Sequence, residues 1–216
     1  MLAVLVTGIL LFTMNNLYER CLFNMKMDLY NLWSLSFPGY IVIWAFMAWI
    51  NRKRGKPIEN PEIYKYKGSK IMFTLGFLPQ LTVLFWTIFV PIISSTLFRI
   101  GLLIYLIGII INLTALASFS RSTGDLNTNG IYRYSRNPMY VGGFLFILGL
   151  NLMGWEMKFA SYVFVIVSLI WVGATHWMVL QEESFLKNKN GDIYREYMKM
   201  VPRYVGVFQM TKKGAK

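Results

Sequence analysis

The chain has 216 residues, of which 56% are hydrophobic, 17% aromatic and only 15% charged. A soluble domain carries about 25% charged residues, so this composition excludes an ordinary soluble enzyme and points to a membrane protein. The net charge of +12 reads as basic loops gathered on one side of a bilayer and not as a nucleic-acid surface. One cysteine, Cys21, and one histidine, His176, leave no disulfide framework, no metal–thiolate cluster and no histidine-based zinc site within the chain.

A membrane-crossing helix needs about 20 apolar residues, within a range of about 17–25. The first candidate is 2–17. It lacks a basic start and a small-residue cleavage site, so it reads as a retained helix and not a signal peptide. The second run, 29–50, contains Pro38, which neighbouring helices can accommodate. An aqueous loop rich in lysine and arginine follows over 51–70. The third run, 71–93, carries Pro79 and Pro91, and 94–99 is a short turn. The fourth, 100–117, places Gly101 and Gly108 on one face, where small residues let helix backbones approach. Polar residues over 118–137 predict a loop. The fifth run, 138–154, opens on Pro138, which a helix accepts in its first turn, and carries Gly142, Gly149 and Gly154 for close packing. The sixth is 159–180. Beyond it Phe185, Leu186, Ile193, Tyr197, Met200 and Val201 recur at helical spacing between charges. They predict two short amphipathic helices, broken at Asn190–Gly191 and lying on the membrane surface.

The expected fold is therefore an all-α integral membrane bundle of about six transmembrane helices with a C-terminal amphipathic segment. It forms one domain over 1–216, with a four-helix scaffold (1–117) and a catalytic half (118–208). Of the 22 lysines and arginines, eighteen fall in 51–70, 118–137 and 181–216, and four in the opposite turns. The positive-inside rule then puts both termini and the 118–137 loop in the cytosol.

Polar chemistry gathers against apolar helices in one place, the stretch 129–143 (NGIYRYSRNPMYVGG) together with Glu182 and Glu183. A hairpin of the fifth and sixth helices brings Arg136, Asn137, Tyr140, Glu182 and Glu183 to one membrane surface. Arg136 suits a ligand carboxylate or phosphate, against the alternative of a snorkelling membrane anchor. The two glutamates close the sixth run, where carboxylates oppose the helix dipole, so a cation, Arg136 or a ligand ammonium, is expected beside them. His176 lies two turns before Glu183 on the same face, as a packing residue or a base. Tyr132, Tyr134 and Tyr140 stack on a ligand ring or belong to the interfacial aromatic belt. A ligand with a flat ring, hydroxyls, an amine and a carboxylate fits this set. S-Adenosylmethionine has all four, and nicotinamide cofactors share most of them. No GxGxxG follows a strand, which excludes a Rossmann domain.

The segments GIYRYSRNPMYVGG, EESFL and GDIYREYMKMVPRYV, in that order over roughly 124–207, resemble the C-terminal half of the isoprenylcysteine carboxyl methyltransferase family and its prokaryotic and phospholipid-methylating relatives. The resemblance implies S-adenosylmethionine bound at the cytosolic membrane face. The family's loop contacts fall on Gly124, Asp125, Leu126 and Asn127, its tyrosine on Tyr132, its His-Pro-x-Tyr contacts on Asn137, Pro138, Met139 and Tyr140, and its cofactor-binding glutamate on Glu182. Catalytic candidates are Arg136, His176 and Glu183. Asn137 stands where the family has histidine, so no proton relay is assigned there. Met178 stands where the eukaryotic members have a substrate-binding arginine. With no guanidinium at that position to pair a carboxylate, the expected methyl acceptor is a lipophilic or small amine, thiol or hydroxyl, with membrane lipids as partners and no nucleic acid; the alternative is that an arginine elsewhere, such as Arg133, takes over the clamp. Two other readings are an NADPH-dependent sterol-type reductase and a non-enzymatic lipid-binding membrane protein.

Overall fold

The computed structural model describes residues 30–54, 69–121 and 126–205, with side chains omitted over 69–77. The run 2–17, Cys21, and the positions Gly124 and Asp125 lie outside them. Five helices follow in order: α1 (Trp33–Arg54), α2 (Ser69–Thr87), α3 (Thr96–Ser120), α4 (Pro138–Met153) and α5 (Phe159–Met200), with a 3-10 turn at Gly130–Arg133 before α4. No strand is present among the described residues, only one isolated bridge between Asn31 and Pro91. Helices α1, α3 and α5 are long and apolar enough to cross a membrane, and α4 is a shorter apolar helix. Three such spans support an integral membrane protein of the expected all-helical class.

Boundaries moved where polar residues cap or extend an apolar run. Helix α3 begins earlier than its hydrophobic stretch because Ser95 accepts the Phe98 amide at 3.2 Å and caps it. Helix α2 ends at Thr87, so the residues before Pro91 turn out of the helix. The largest correction concerns the sixth run. It does not stop at Leu180: α5 continues through both glutamates to Asn190, and helical geometry is interrupted at Gly191 (φ +54°, ψ −126°). The break is where the sequence placed it, but the first amphipathic stretch is an extension of the span and not a separate surface helix. Glu182 and Glu183 are thus not at a helix C-terminus, and the dipole argument for a compensating cation does not apply to them.

The expected glycine face is a close backbone seam of the bundle. Gly101 and Gly108 on α3 meet Gly149 and Gly142 on antiparallel α4. A Cβ on Gly142 would stand 2.8 Å from the Gly108 carbonyl oxygen, and one on Gly149 2.6 Å from that of Gly101. Backbone, not a side-chain tip, would have to yield. The core around this seam holds Tyr105, Phe146, Ile147, Leu150, Phe164 and Trp171, and the Tyr105 hydroxyl donates to the Leu35 carbonyl at 2.8 Å. Helix α4 packs chiefly on α3 and α5 on α2, so the expected α4–α5 hairpin is splayed. Phe144 and Trp171 meet edge-on across it.

The helices alternate between two polar ends. One end joins Asn31, the turn after α2 and the α4–α5 connection, through bonds such as Leu32 N to Val90 O (2.8 Å) and Ile93 N to Met153 O (3.2 Å). The other carries the loop 126–137, the two glutamates and the C-terminal strap 201–205.

Candidate functional site

The glutamate end is assembled by two left-handed glycines. At Gly130 (φ +62°), which opens the 3-10 turn, a Cβ would come 2.7 Å from the Ser118 hydroxyl, so the turn favours glycine there. That turn buries Tyr132. Gly191 redirects α5, so that Tyr194, Tyr197 and Val201 pack back against Leu126 and Leu186. The Tyr197 hydroxyl donates to the Tyr132 carbonyl at 2.6 Å. The strap then crosses the start of α4. Pro202 O accepts the Arg136 amide at 2.9 Å, and Arg203 O accepts from the Ser135 hydroxyl and Asn137 Nδ2, both at 3.2 Å.

The adjacent glutamates have different surroundings. Glu183 is buried, 4% exposed. Its Oε1 accepts Asn137 Nδ2 at 3.0 Å and faces Arg136 Nη2 at 3.4 Å, while its Oε2 takes Arg203 Nε at 3.0 Å and Nη2 at 2.9 Å. Glu182 is partly exposed, and its Oε2 accepts the Tyr140 hydroxyl at 2.9 Å. Asn137 therefore holds Glu183 in place, and the expected Arg136–glutamate pairing exists, but with the second glutamate of the pair. A carboxylate bonded by three residues is a structural tie, which removes Glu183 from the candidates for a free base. His176 Nδ1 lies 2.9 Å from the Tyr204 hydroxyl, one residue beyond Arg203. Met178 is partly buried one turn before Glu182, as its spacing implies. Pro138 is buried and opens α4. Met139 packs against the Ile50–Leu116 cluster, and Leu126 against that of Tyr194 and Tyr197. Tyr134 and Arg133 are exposed.

Electrostatics tie the same group together. Burial, and then the Glu182 carboxylate, push the Tyr132 phenol up. Burial, and then Glu183, do the same to Tyr194, and burial dominates at Tyr197. The hydrogen bond to Glu183 raises Arg203 further. Within this cluster several buried polar atoms have no protein partner: Arg136 Nε and Nη1, the Tyr132 hydroxyl and Asn127 Nδ2. Arg136 is 8% exposed at its side chain and Asn127 4% overall. An unmade hydrogen bond at such a depth costs about 1–3 kcal/mol, and more for a charged group. Four such atoms, three of them on positively charged or amide nitrogens, describe a surface built to receive oxygen-rich or anionic groups, beside a carboxylate suited to a cation.

Sequence reading missed Arg203, Ser135 and Tyr204. Arg203 follows the Val201–Pro202 pair, but only the reversal at Gly191 brings it back to Glu183, and no spacing rule shows that. No group of three or more potential metal ligands occurs among the described residues.

A helical bundle with three helices long and apolar enough to cross a membrane is of the integral membrane class, and its glutamate end, with buried charges and unpaired polar atoms, is the candidate ligand site. Residues 96–193, from α3 to the Gly191 turn, match the phospholipid methyltransferase family. The protein-S-isoprenylcysteine O-methyltransferase of Schizosaccharomyces pombe (strain 972 / ATCC 24843) is 36% identical over 78 residues, covering 36% of this chain and 31% of that protein. The family match thus covers the segment that carries Arg136, Asn137, Tyr140 and the two glutamates. The aligned region spans about a third of that relative's length. No solved structure matches the chain.

Proposed function

We propose that this protein is a membrane-embedded methyltransferase that binds S-adenosylmethionine at the glutamate end. The observation that supports this most strongly is the set of unpartnered buried atoms on Arg136, Tyr132 and Asn127 beside the Glu182–Tyr140 pair. The chemistry of S-adenosylmethionine matches it group for group. Its carboxylate suits the Arg136 guanidinium, its ammonium suits Glu182, and its ribose and ring edges suit Tyr132 and Asn127, with Leu126, Pro138 and Met139 as apolar neighbours and Gly124 and Asp125 as further loop contacts. Bound, it supplies a sulfonium methyl group open to nucleophilic attack.

The protein's own part is binding, orientation and exclusion of water. Proximity alone, with reacting atoms held about 3–3.5 Å apart, contributes much of the rate in such displacements. Glu182 holds the ligand's charged end while Tyr140 fixes the carboxylate's direction. Burial keeps Tyr132, Tyr194 and Tyr197 as neutral phenols. Because Glu183 is committed to Asn137, Arg136 and Arg203, it does not act as the base. His176, held by Tyr204, is the only imidazole.

The acceptor we propose is a lipophilic or small amine, thiol or hydroxyl. Met178 contributes a flexible apolar wall next to Glu182 and no cation for a carboxylate. A buried unpaired carboxylate would cost several kcal/mol. The site is proposed to face the cytosol, by the charge asymmetry of the loops. Neither the family match nor the relative favours the reductase or the non-enzymatic reading.

The test is transfer of label from methyl-labelled S-adenosylmethionine by the purified protein. It is offered a total lipid extract and small thiols, and separately a farnesylated cysteine. Label in the first set supports the proposal. Efficient methylation of the farnesylcysteine carboxylate, unchanged in Arg133→Ala, contradicts the reading of Met178.

A further inference from the structure

Arg203 is one-third exposed at its side chain, whereas its partner Glu183 is buried. Exposed ion pairs are worth little, and a surface arginine beside a glutamate would ordinarily call for no comment. The geometry around this one is unusual. Two guanidinium groups compete for one carboxylate. Arg203 approaches Oε2 with both Nε and Nη2 at 3.0 and 2.9 Å, whereas Arg136 reaches Oε1 with one nitrogen at 3.4 Å. The fork that would satisfy Arg136 is occupied from outside by Arg203. The consequence is that Arg136, the more buried of the two, keeps Nε and Nη1 without protein partners. The same residue also acts through its backbone, since Arg203 O receives Ser135 and Asn137 and so holds the residues on either side of Arg136.

We infer that Arg203 is a positioning residue: by neutralising Glu183 from the solvent side, it withholds that carboxylate from Arg136 and keeps the inward donors of Arg136 free for the anionic group of the ligand. The strap 201–205 thereby belongs to the ligand site although it need not touch the ligand. Without Arg203 the nearest cation left for Glu183 is Arg136, which would turn its fork onto the carboxylate and be lost to the ligand. The inference rests on the methyltransferase reading for the identity of the ligand, and its logic makes a demand that simple structural support does not. Removing the competition, by neutralising Glu183 as well, must return Arg136 to the ligand.

The experiment uses full-length protein in nanodiscs, titrated calorimetrically with S-adenosylmethionine and assayed for methyl transfer, as wild type, Arg203→Lys, Arg203→Met and Arg203→Met/Glu183→Gln. Arg203→Met is expected to weaken binding about tenfold or more and to raise KM correspondingly, with kcat at saturation within about twofold of wild type. Arg203→Lys, which keeps the charge but not the fork, falls between. The double variant recovers binding to within about threefold of wild type. The neutral amide that replaces the Glu183 carboxylate no longer attracts Arg136, while its oxygen still accepts from Asn137. Arg203→Met with unchanged KM and a kcat that falls with the folded fraction would show a merely structural role and overturn the inference, as would a double variant no better than the single. Failure of the wild type to bind S-adenosylmethionine would instead overturn the methyltransferase reading itself.

Discussion

The two polar ends of the bundle use similar residue types to different purposes. At the Asn31 end, Asn31 Nδ2 donates to Ile88 O at 2.6 Å, the Ser36 and Thr87 hydroxyls pair at 3.0 Å, and the Ser161 hydroxyl donates to Gly154 O at 2.8 Å. Neutral groups there close on one another and on turn carbonyls, as buried polar groups do when their role is to finish the fold, and the charged pair there, Glu156–Lys158 at 2.6 Å, leaves one Glu156 oxygen without a protein partner. At the Glu182 end, charged groups are buried, and Arg136, Tyr132 and Asn127 retain unused hydrogen-bonding atoms. The fold gains no stability from leaving such atoms unpaired, whereas a ligand can pair them. The contrast, four unpaired atoms on Arg136, Tyr132 and Asn127 against one Glu156 oxygen at the Asn31 end, supports the proposal that the Glu182 end is the one that binds a ligand.

The comparison can be broken most severely at Glu183. Glu183→Leu leaves the buried Arg136 without a counter-charge, and removing one partner of a buried pair costs about 3–5 kcal/mol. Chemical denaturation should show a loss of this size, and a loss below about 1 kcal/mol would mean that Glu183 is not the tie described here. Glu182→Gln should do the reverse. It keeps size and removes the charge, so stability stays close to wild type while S-adenosylmethionine affinity falls about ten- to a hundredfold, or about 1.5–3 kcal/mol. Calorimetric titration measures this, and equal effects of Glu182→Gln and Glu183→Gln on affinity would erase the division between the two.

At the other end, Asn31→Ala orphans the Ile88 carbonyl and should cost about 1–3 kcal/mol of stability, with S-adenosylmethionine affinity unaltered. A change in affinity there would dissolve the contrast between the ends. The smallest effect concerns pH. Tyr132, Tyr194 and Tyr197 have phenols raised above the ordinary value of about 10. A raised pKa means the folded state holds the proton more tightly than the unfolded chain. The stabilisation is complete below about pH 10 and is lost as pH rises beyond it. Melting followed from pH 8 to about 11 should show a decline above pH 10 that is shallower in Tyr194→Phe. An identical decline in that variant would remove Tyr194 from the account.

Much of this was legible in the sequence because membrane helices announce themselves by length and apolarity, and because close helix seams need small residues. Gly101, Gly108, Gly142 and Gly149 could be assigned to a packing face from spacing alone, and Gly191 to a break. The motif residues could be brought to one end by topology. The roles within that end could not. Which of two adjacent glutamates turns inward depends on the rotation of α5, and that rotation is set by packing along the whole helix. The continuation of α5 past Leu180 was hidden because the polar residues after the span lower hydropathy without lowering helix propensity. Arg203 was invisible because its contact is made by a reversed chain, and reversal angles are not written in residue spacing.

The central claim is that the Glu182 end, and not the Asn31 end, binds S-adenosylmethionine. The most direct measurement is a parallel calorimetric titration of wild type, Glu182→Gln and Asn31→Ala in nanodiscs with S-adenosylmethionine and with NADPH. The account predicts saturable binding of S-adenosylmethionine to wild type and Asn31→Ala with equal affinity, a roughly ten- to hundredfold loss in Glu182→Gln, and no binding of NADPH to any of them. Binding of NADPH in place of S-adenosylmethionine, or S-adenosylmethionine binding indifferent to Glu182, would contradict it.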